Sequence, residues 1–169
     1  MITKKICMLG SFSVGKTSLV GRYVHSVFSD KYLSTVGVKI SKKELSAAGK
    51  ELVLVLWDME GKDKYVDINT SYLRGAMGFF VVADGTRRET LDMALELRER
   101  AIALSGPIPC RLLINKADMV HNWEITPTDL EKLGQREIKY IATSAKTGLG
   151  VAEAFEELAI AMLEADNAR

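Results

Sequence analysis

Short apolar runs alternate with longer segments of helical period along most of the chain, and this alternation constrains the fold more than any other feature. The runs cover residues 6–9, 52–57, 79–83, 111–114 and 138–143, and the helical candidates cover 16–24, 65–74, 89–104, 128–133 and 151–164. Strands that alternate with helices of this length predict a parallel sheet with helices on both faces. Ligands of such sheets lie at the carboxyl ends of the strands, so the loops there should carry the chemistry.

One segment breaks the alternation. Residues 38–46, a short turn at 47–50 and the run at 52–57 are typical of an antiparallel hairpin. We therefore expect a three-layer α/β fold, with a six-stranded, mostly parallel sheet, one antiparallel strand and about five helices on its two faces. The 169 residues contain no linker-like tract and no repeat, so one domain should span residues 1–169.

Composition excludes several classes of protein. The 23 Lys and Arg residues nearly balance the 22 Asp and Glu residues, whereas nucleic-acid-binding proteins usually present a strongly basic face, so we expect no nucleic-acid partner. Cys7 and Cys110 lie in apolar stretches without a CxxC pattern, which favours reduced core cysteines in a cytoplasmic protein. No apolar run could span a bilayer, and neither a Gly at position 2 nor a C-terminal Cys offers a lipid anchor.

Residues 10–17, GSFSVGKT, follow the first apolar run and precede a helical segment. They fit the pattern GxxxxGK followed by Ser or Thr, in the strand–loop–helix context that the pattern requires. The glycines allow backbone N–H groups to surround an anion, and the following helix adds the positive end of its dipole. In such a loop Lys16 would reach the outer phosphates of a nucleotide and the Thr17 hydroxyl would bind Mg²⁺.

Residues 115–118, NKAD, follow another predicted strand, so they should lie at the same edge of the sheet as the phosphate loop. The Asp118 carboxylate can accept hydrogen bonds from both N1–H and the 2-amino group of guanine, whereas adenine offers neither donor in that arrangement. The stem of Lys116 can lie along the base plane, and Asn115 can tie its loop to the phosphate loop. The two motifs together predict a guanine-nucleotide site.

With these motifs the chain resembles the Ras-like small GTPase superfamily, of the Ras and Rab type, over essentially its whole length. Further motifs fall in the family's order, namely DxxG within residues 57–61, the guanine-contacting loop at 143–146 and an Asp-x-Thr pattern at 84–86. The resemblance implies a P-loop G domain that binds GTP or GDP with Mg²⁺ and hydrolyses GTP to GDP and phosphate. Its output would be a conformational switch felt by effectors.

The resemblance also implies roles for single residues. Phe28 falls where the family packs an aromatic ring against guanine, Tyr32 where it has a Tyr over the phosphates, and Thr35 where its first switch has a Thr on Mg²⁺. The expected Mg²⁺-binding residues are Thr17, Thr35 and, through water, Asp58. The expected nucleotide-binding residues are Gly10, Ser13, Val14, Gly15, Lys16, Thr17, Ser18, Phe28, Thr35, Asp58, Gly61, Asn115, Lys116, Asp118, Ser144, Ala145 and Lys146.

Catalysis should depend on Lys16, on Thr35, on the Gly61 N–H toward the γ-phosphate, and on the residue after Gly61. The family usually has a water-orienting Gln at that last position, and this chain has Lys62. An ammonium group only donates hydrogen bonds, whereas orienting water needs a donor and an acceptor, so intrinsic hydrolysis should be slow. Glu60 could pair with Lys62 at the surface or position the water itself.

Phe12 occupies a position that family members often fill with Gly. Its ring would either crowd the space that a partner's arginine finger enters or fold away from the nucleotide, and the sequence leaves both open. Two functions from different classes follow. The leading one is a cycling GTPase switch, which the intact Lys16, Thr17 and Asp58 favour, and the alternative is a GTP-bound, nucleotide-static scaffold, which Lys62 favours. A P-loop metabolic kinase would need an acceptor site and lid that the chain lacks.

The expected partners are effector, exchange-factor and activator proteins that bind the switch loops of a monomer. Trp123, Tyr65 and Tyr72 could be partner anchors or half-buried packing residues.

The pair Arg87 and Arg88 begins a helix at the end that disfavours positive charge, which indicates contacts with other parts of the molecule. His25 and His121 lie in polar surroundings and should be surface or helix-capping residues.

Overall fold

The structure, a computed structural model, describes residues 1–29, 37–59, 68 and 70–169. Within these ranges the strands are β1 (Ile2–Gly10), β2 (Val38–Ala47), β3 (Lys50–Met59), β4 (Gly78–Asp84), β5 (Cys110–Asn115) and β6 (Tyr140–Ala142). The helices are α1 (Lys16–His25), α2 (Thr70–Leu73), α3 (Glu89–Ser105), α4 (Pro127–Gln135) and α5 (Val151–Asn167), with a short 3₁₀ helix at Val120–Asn122.

The six strands form one sheet in the order β2-β3-β1-β4-β5-β6, and only β2 runs antiparallel to its neighbour. This topology confirms the predicted α/β fold. Ala48 and Gly49 join β2 to β3 with positive φ angles of 49° and 72°, as in the tight two-residue turns that match the twist of a hairpin. The predicted hairpin is therefore present.

Several predicted strands have different limits in the structure, and β3 extends two residues beyond the predicted 52–57 at each end. β1 begins at Ile2 rather than at residue 6, because its first polar residues are held in the sheet by pairing with β3. The last predicted strand, 138–143, is shorter, because the chain leaves α4 through a left-handed turn at Glu137 (φ 54°) and becomes extended only at Tyr140. Of the predicted helix 65–74, the structure shows α2 at Thr70–Leu73, while the described residues 68 and 74 are not helical and residues 65–67 and 69 lie outside the described residues.

The core has two layers, one on each face of the sheet. On one face α1 and α5 pack through the stacked rings of Tyr23 and Phe155, whose centroids lie 4.0 Å apart. On the other face α2, α3 and α4 cover β1, β4 and β5. Cys7 belongs to this second layer and Cys110 packs against it, and burial raises the pKa of each thiol to about 12, so both remain neutral thiols at pH 7.

A buried lysine joins the first strand to the last helix. Lys4 in β1 is 1% exposed, and its ammonium group donates to the carboxylate of Asp166 near the end of α5. This bond lowers the pKa of Asp166. Since the side chain of Asp166 is 45% exposed, the pair places the lysine charge at the boundary between core and solvent. No helix among the described residues is both long and apolar enough to cross a membrane.

Candidate functional site

The sheet register brings the predicted motifs to one edge. Gly10 ends β1 beside Val82 of β4, Asp84 ends β4 beside Asn115 of β5, and Asp58 lies near the end of β3. The loop between β1 and α1 thus lies between the ends of two neighbouring strands that carry buried carboxylates. Both carboxylate residues, Asp58 and Asp84, are 1% exposed.

The loop before α1 depends on a glycine at position 15. Gly15 has φ 102°, and a Cβ atom there would lie 2.3 Å from Nδ2 of Asn115. Any side chain would therefore displace the asparagine amide. That amide donates to the carbonyl of Val14 at 3.0 Å, so the asparagine ties its own loop to the phosphate loop, as predicted.

Three successive carbonyl groups of this loop, those of residues 12–14, accept hydrogen bonds from other loops. Arg87 donates to Phe12 O at 2.9 Å, Lys116 to Ser13 O at 3.1 Å and Asn115 to Val14 O at 3.0 Å. In a trans peptide the C=O and the next N–H point in opposite directions, and no cis peptide occurs among the described residues. The N–H groups of residues 13–15 are therefore directed away from these donors, which is the arrangement of an anion-binding nest.

Lys16 is held inside the loop. Its ammonium group donates to the carbonyls of Gly10 at 2.8 Å and Ser11 at 3.1 Å, and the residue is 7% exposed. Burial lowers the pKa of Lys16 to about 8, although the nearby charge of Asp58 acts in the opposite direction. Thr17, the next residue, donates its hydroxyl to Oδ2 of Asp58 at 2.6 Å.

The two loops predicted to contact the base are joined by side-chain hydrogen bonds. Ser144 Oγ donates to Asp118 Oδ1 at 2.7 Å, and Thr143 Oγ1 donates to Asn115 Oδ1 at 3.1 Å. Ser144 is fully buried, while Asp118 is exposed. The hydroxyl of Ser144 therefore fixes the orientation of a carboxylate that remains accessible to a ligand.

Asp84 is a buried carboxylate with several hydrogen-bond partners at this edge. One of its oxygens accepts from the backbone N–H and the hydroxyl of Thr86, at 2.9 and 2.7 Å. The other accepts from Arg87 at 3.0 Å and lies 2.8 Å from the ammonium group of Lys116. Burial alone would raise the pKa of Asp84, but the bonds from Lys116, Thr86 and Arg87 outweigh it and lower that pKa.

Two arginines that sequence reasoning did not assign to the site hold its loops in place. Arg22 in α1 donates to the carbonyl of Ala145 at 2.7 Å and also to that of Lys146. Arg87 binds Asp84 and the Phe12 carbonyl. The only sequence signal for the contacts of Arg87 was its position, next to Arg88, at the start of a helix. No sequence signal pointed to Arg22.

Arg88 turns away from the site. It pairs with Asp92 of α3 at 2.9 Å and with Asp129 of α4 at 2.9 Å. The expectation that both arginines contact other parts of the molecule is confirmed. Trp123 covers the same region, since a Cβ atom on Gly85 would lie 2.0 Å from its ring.

Other expected residues have varied positions. Ser18 lies in the first turn of α1, Phe28 is 37% exposed beyond its end, and Phe12 is 39% exposed.

Tyr72 is buried, with its hydroxyl bonded to backbone atoms of Met8 and Trp57, so it is a core residue and not a partner anchor. His25 and His121 are exposed. The remaining expected residues, Tyr32, Thr35, Glu60, Gly61, Lys62 and Tyr65, lie outside the described residues.

The sheet order and the loops at its carboxyl edge define an α/β protein of the P-loop GTPase type. The family model described as Ras family matches residues 5–164. The chain is 34% identical to Ras-related protein Rab-32C of Dictyostelium discoideum, with 96% of this chain and 75% of that protein covered. It is 32% identical to Ras-related protein Rab-13 of Bos taurus (92% and 77% covered) and 33% identical to Ras-related protein Rab-8B of Homo sapiens (92% and 76% covered).

The chain belongs to the Ras family. It is therefore a small GTPase of the molecular-switch type, in a family that binds guanine nucleotides with Mg²⁺ and acts with effectors, exchange factors and activators.

Proposed function

We propose that this chain, as one G domain and a cytoplasmic monomer, is a Mg²⁺-dependent guanine-nucleotide switch whose GTP hydrolysis is slow without a partner. The observation that carries the proposal is the direct bonding of the phosphate loop to the base loop. Asn115 and Lys116 donate to the carbonyls of Val14 and Ser13, so the two halves of a nucleotide site are held at a fixed separation.

The phosphate half would use the N–H groups of residues 13–15 together with Lys16, with Gly10 and Ser18 flanking them. The ammonium group of Lys16 already lies within the loop, where it bonds to carbonyls rather than to solvent. A phosphate bound there would replace these weak neutral acceptors with charged ones, which strengthens each hydrogen bond. It would also favour the protonated lysine, against the effect of burial.

The residues near Asp58 fit Mg²⁺. A buried carboxylate and a threonine hydroxyl lie 2.6 Å apart beside the phosphate loop, and hard oxygen donors of this kind are what Mg²⁺ prefers. Thr17 would bind the ion directly, Asp58 through water, and Thr35 in the triphosphate state. When bound, Mg²⁺ neutralises charge on the β- and γ-phosphate oxygens.

The base half would use Asp118 as the selective acceptor, the Ala145 N–H toward the base oxygen, and Phe28 and Lys116 along the faces of the ring. Lys146 would complete this half. Ser144 holds the Asp118 carboxylate, and Arg22 holds the carbonyl side of residues 145 and 146. Since the Ala145 carbonyl points toward Arg22, the Lys146 N–H on the same peptide points away from it, while the Thr147 N–H donates to Ser144 Oγ at 3.1 Å.

Hydrolysis would depend on Lys16, Thr35 and Gly61, with Lys62 at the position that orients water. Because Lys62 cannot accept a hydrogen bond, we propose that an activator supplies the missing acceptor. The second candidate function is a GTP-bound scaffold with negligible turnover, and Lys62 is the observation that favours it.

The deciding experiment is to purify the chain without added nucleotide, denature it, and separate what is released by anion exchange. Bound GDP is expected and supports a switch that cycles. Mostly GTP would favour the static scaffold, and the absence of any guanine nucleotide would contradict both functions.

Replacing Lys62 with Gln should speed single-turnover GTP hydrolysis by roughly tenfold, because the amide both donates to and accepts from water. Lys64→Gln is the matched control, since it removes the same charge two residues away and should leave the rate unchanged. A Lys62→Gln protein that hydrolyses GTP no faster than wild type would show that this position does not limit turnover.

Replacing Asp118 with Asn should weaken GDP binding by about 10- to 100-fold and shift the preference toward xanthine nucleotides, because a charge-assisted pair of hydrogen bonds is lost. The measurement is competition between GDP and XDP for the purified protein. Asp92→Asn, which alters an exposed carboxylate on α3, should bind GDP like wild type. Unchanged GDP affinity in Asp118→Asn would mean that the base pocket is misassigned.

A further inference from the structure

We propose that Arg87 is a positioning residue for nucleotide retention, which fixes the Phe12–Ser13 peptide of the phosphate loop by bridging it to Asp84. The inference rests on the proposed nucleotide site and names a residue outside its motifs. Arg87 follows β4, 75 residues after Phe12 in the sequence, and is not part of the loops that would contact nucleotide.

The guanidinium group of Arg87 bonds in two directions. Its Nε donates to Asp84 Oδ2 at 3.0 Å, and its Nη2 donates to Phe12 O at 2.9 Å. Two donors in one rigid plane can hold a carboxylate and a carbonyl at a fixed spacing, which a single ammonium group cannot do. Arg87 thus transmits the position of the buried Asp84 to the phosphate loop.

Asp84 makes the same kind of link through a second cation. Lys116 lies 2.8 Å from Asp84 Oδ2 and donates to Ser13 O at 3.1 Å. Adjacent carbonyls of the phosphate loop are therefore held by two cations that share one carboxylate. Lys116 belongs to the base-contacting motif. Arg87 does not, so its restraint acts on the phosphate loop and not on the base loop.

The direction of the Phe12 carbonyl decides the direction of the next amide. Because the peptide is planar and trans, a carbonyl held by Arg87 turns the Ser13 N–H to the opposite side, into the loop. Ser13 itself has φ 63°, a left-handed conformation that is unfavourable for a residue with a side chain. Such a conformation persists where surrounding contacts hold it, and the bonds to the carbonyls on either side of the Ser13 N–Cα–C unit provide that restraint.

The neighbouring arginine provides a matched comparison. Arg88 carries the same charge and is paired with Asp92 and Asp129, away from the phosphate loop. Removal of either arginine therefore costs one positive charge near an anionic ligand, and only removal of Arg87 breaks the hydrogen bond to the Phe12 carbonyl. The side chains are similarly exposed, at 37% for Arg87 and 36% for Arg88.

The test measures release of a fluorescent GDP analogue from wild type and from Arg87→Ala, Arg87→Lys and Arg88→Ala, with excess unlabelled GDP in Mg²⁺ buffer. Release from Arg87→Ala should be about tenfold faster than from wild type, the low end for a hydrogen bond from a charged group because the guanidinium is partly exposed. Arg87→Lys should remain at least about threefold faster, since lysine restores charge but not the two-way bridge. Arg88→Ala should match wild type.

A second readout separates positioning from a general loosening of the site. The preference for GDP over IDP, which lacks the 2-amino group, should be the same in Arg87→Ala as in wild type, because Lys116, Asp118 and their contacts are untouched. Loss of that preference, GDP release from Arg87→Ala within twofold of Arg88→Ala, or full recovery in Arg87→Lys would each overturn the proposal. A wild-type protein that does not load GDP at all would instead overturn the proposed function, and this inference with it.

Discussion

Two buried carboxylates flank the phosphate loop, and they have opposite surroundings. Asp84, at the end of β4, is bonded to two cations and to Thr86. Asp58, near the end of β3, accepts a hydrogen bond from the neutral hydroxyl of Thr17. It also interacts electrostatically with the nearby charge of Lys16. A carboxylate neutralised by the protein's own cations holds structure together, whereas one bonded to a hydroxyl is suited to an external cation.

The largest expected effect is the loss of stability when Asp84 is removed, compared with the loss when Asp58 is removed. Asp84→Ala should lower the free energy of unfolding by about 3 kcal/mol, because a buried ion-pair network loses its shared partner. Asp58→Ala should lower it less, by about 1 kcal/mol, since the hydrogen bond from Thr17 to Asp58 comes from a neutral hydroxyl. Urea unfolding of the nucleotide-free proteins in EDTA measures both values.

The dependence of GDP release on Mg²⁺ should be lost in the Asp58 variant and kept in the Asp84 variant. Addition of EDTA should accelerate GDP release from Asp84→Ala, as from wild type, and should have little effect on Asp58→Ala. Equal loss of stability in the two variants, or an equal response to EDTA, would remove the distinction between a structural and a metal-binding carboxylate.

A smaller effect should follow from the packing beside Asp84. Gly85→Ala would place a methyl group 2.0 Å from the Trp123 ring, and the overpacking should cost about 2 kcal/mol of unfolding free energy. Thermal unfolding with saturating GDP provides the measurement. Gly134→Ala is the matched control, because nothing lies within 4 Å of the added carbon in α4 and the helix should gain up to about 1 kcal/mol. A stable Gly85→Ala protein would show that the ring can move aside.

The smallest effect concerns a third carboxylate, at the start of α4. Asp129 and Thr126 form a reciprocal capping box, and the backbone bond from Thr126 is the main reason that the pKa of Asp129 is lowered. Asp129→Ala should therefore cost about 1 kcal/mol at pH 7. Asp92→Ala, which removes the other partner of Arg88, should cost much less because that side chain is 70% exposed.

The pH dependence of this third effect has a defined sign. A carboxyl group with a lowered pKa in the folded state stabilises the protein fully above its unfolded pKa, near about 4. That contribution disappears as the pH falls through the lower folded value. The difference in unfolding free energy between wild type and Asp129→Ala should thus shrink in acid, and a difference that is constant from pH 7 to pH 3 would contradict the role of the charged cap.

Sequence reasoning reached the fold and much of the site because both depend on local patterns. The order of strands and helices follows from apolar periodicity, and the phosphate loop and NKAD motifs lie at strand ends that the parallel topology brings together. The contact of Asn115 with Val14 O could be predicted because both residues belong to such motifs.

Arg22 and Arg87 could not be found in this way. Each binds backbone carbonyls, and a carbonyl has no sequence identity, so no residue type marks the partner. Tyr72 was equally ambiguous, because an aromatic residue near a predicted switch suits a binding surface as well as a core. Its burial is decided by bonds to Met8 and Trp57, which lie on separate strands.

The pairing of Lys4 with Asp166 has a consequence for how the chain is made. The two residues are 162 positions apart, so the ribosome has synthesised nearly all of this sequence before the lysine meets its counterion. β1 lies between β3 and β4, so a central strand of the sheet is synthesised before both of its neighbours and gains this contact only after α5 has been made. The α5 side of the core can therefore form only after residue 166 has been made, and until then the charged group of Lys4 has to stay hydrated.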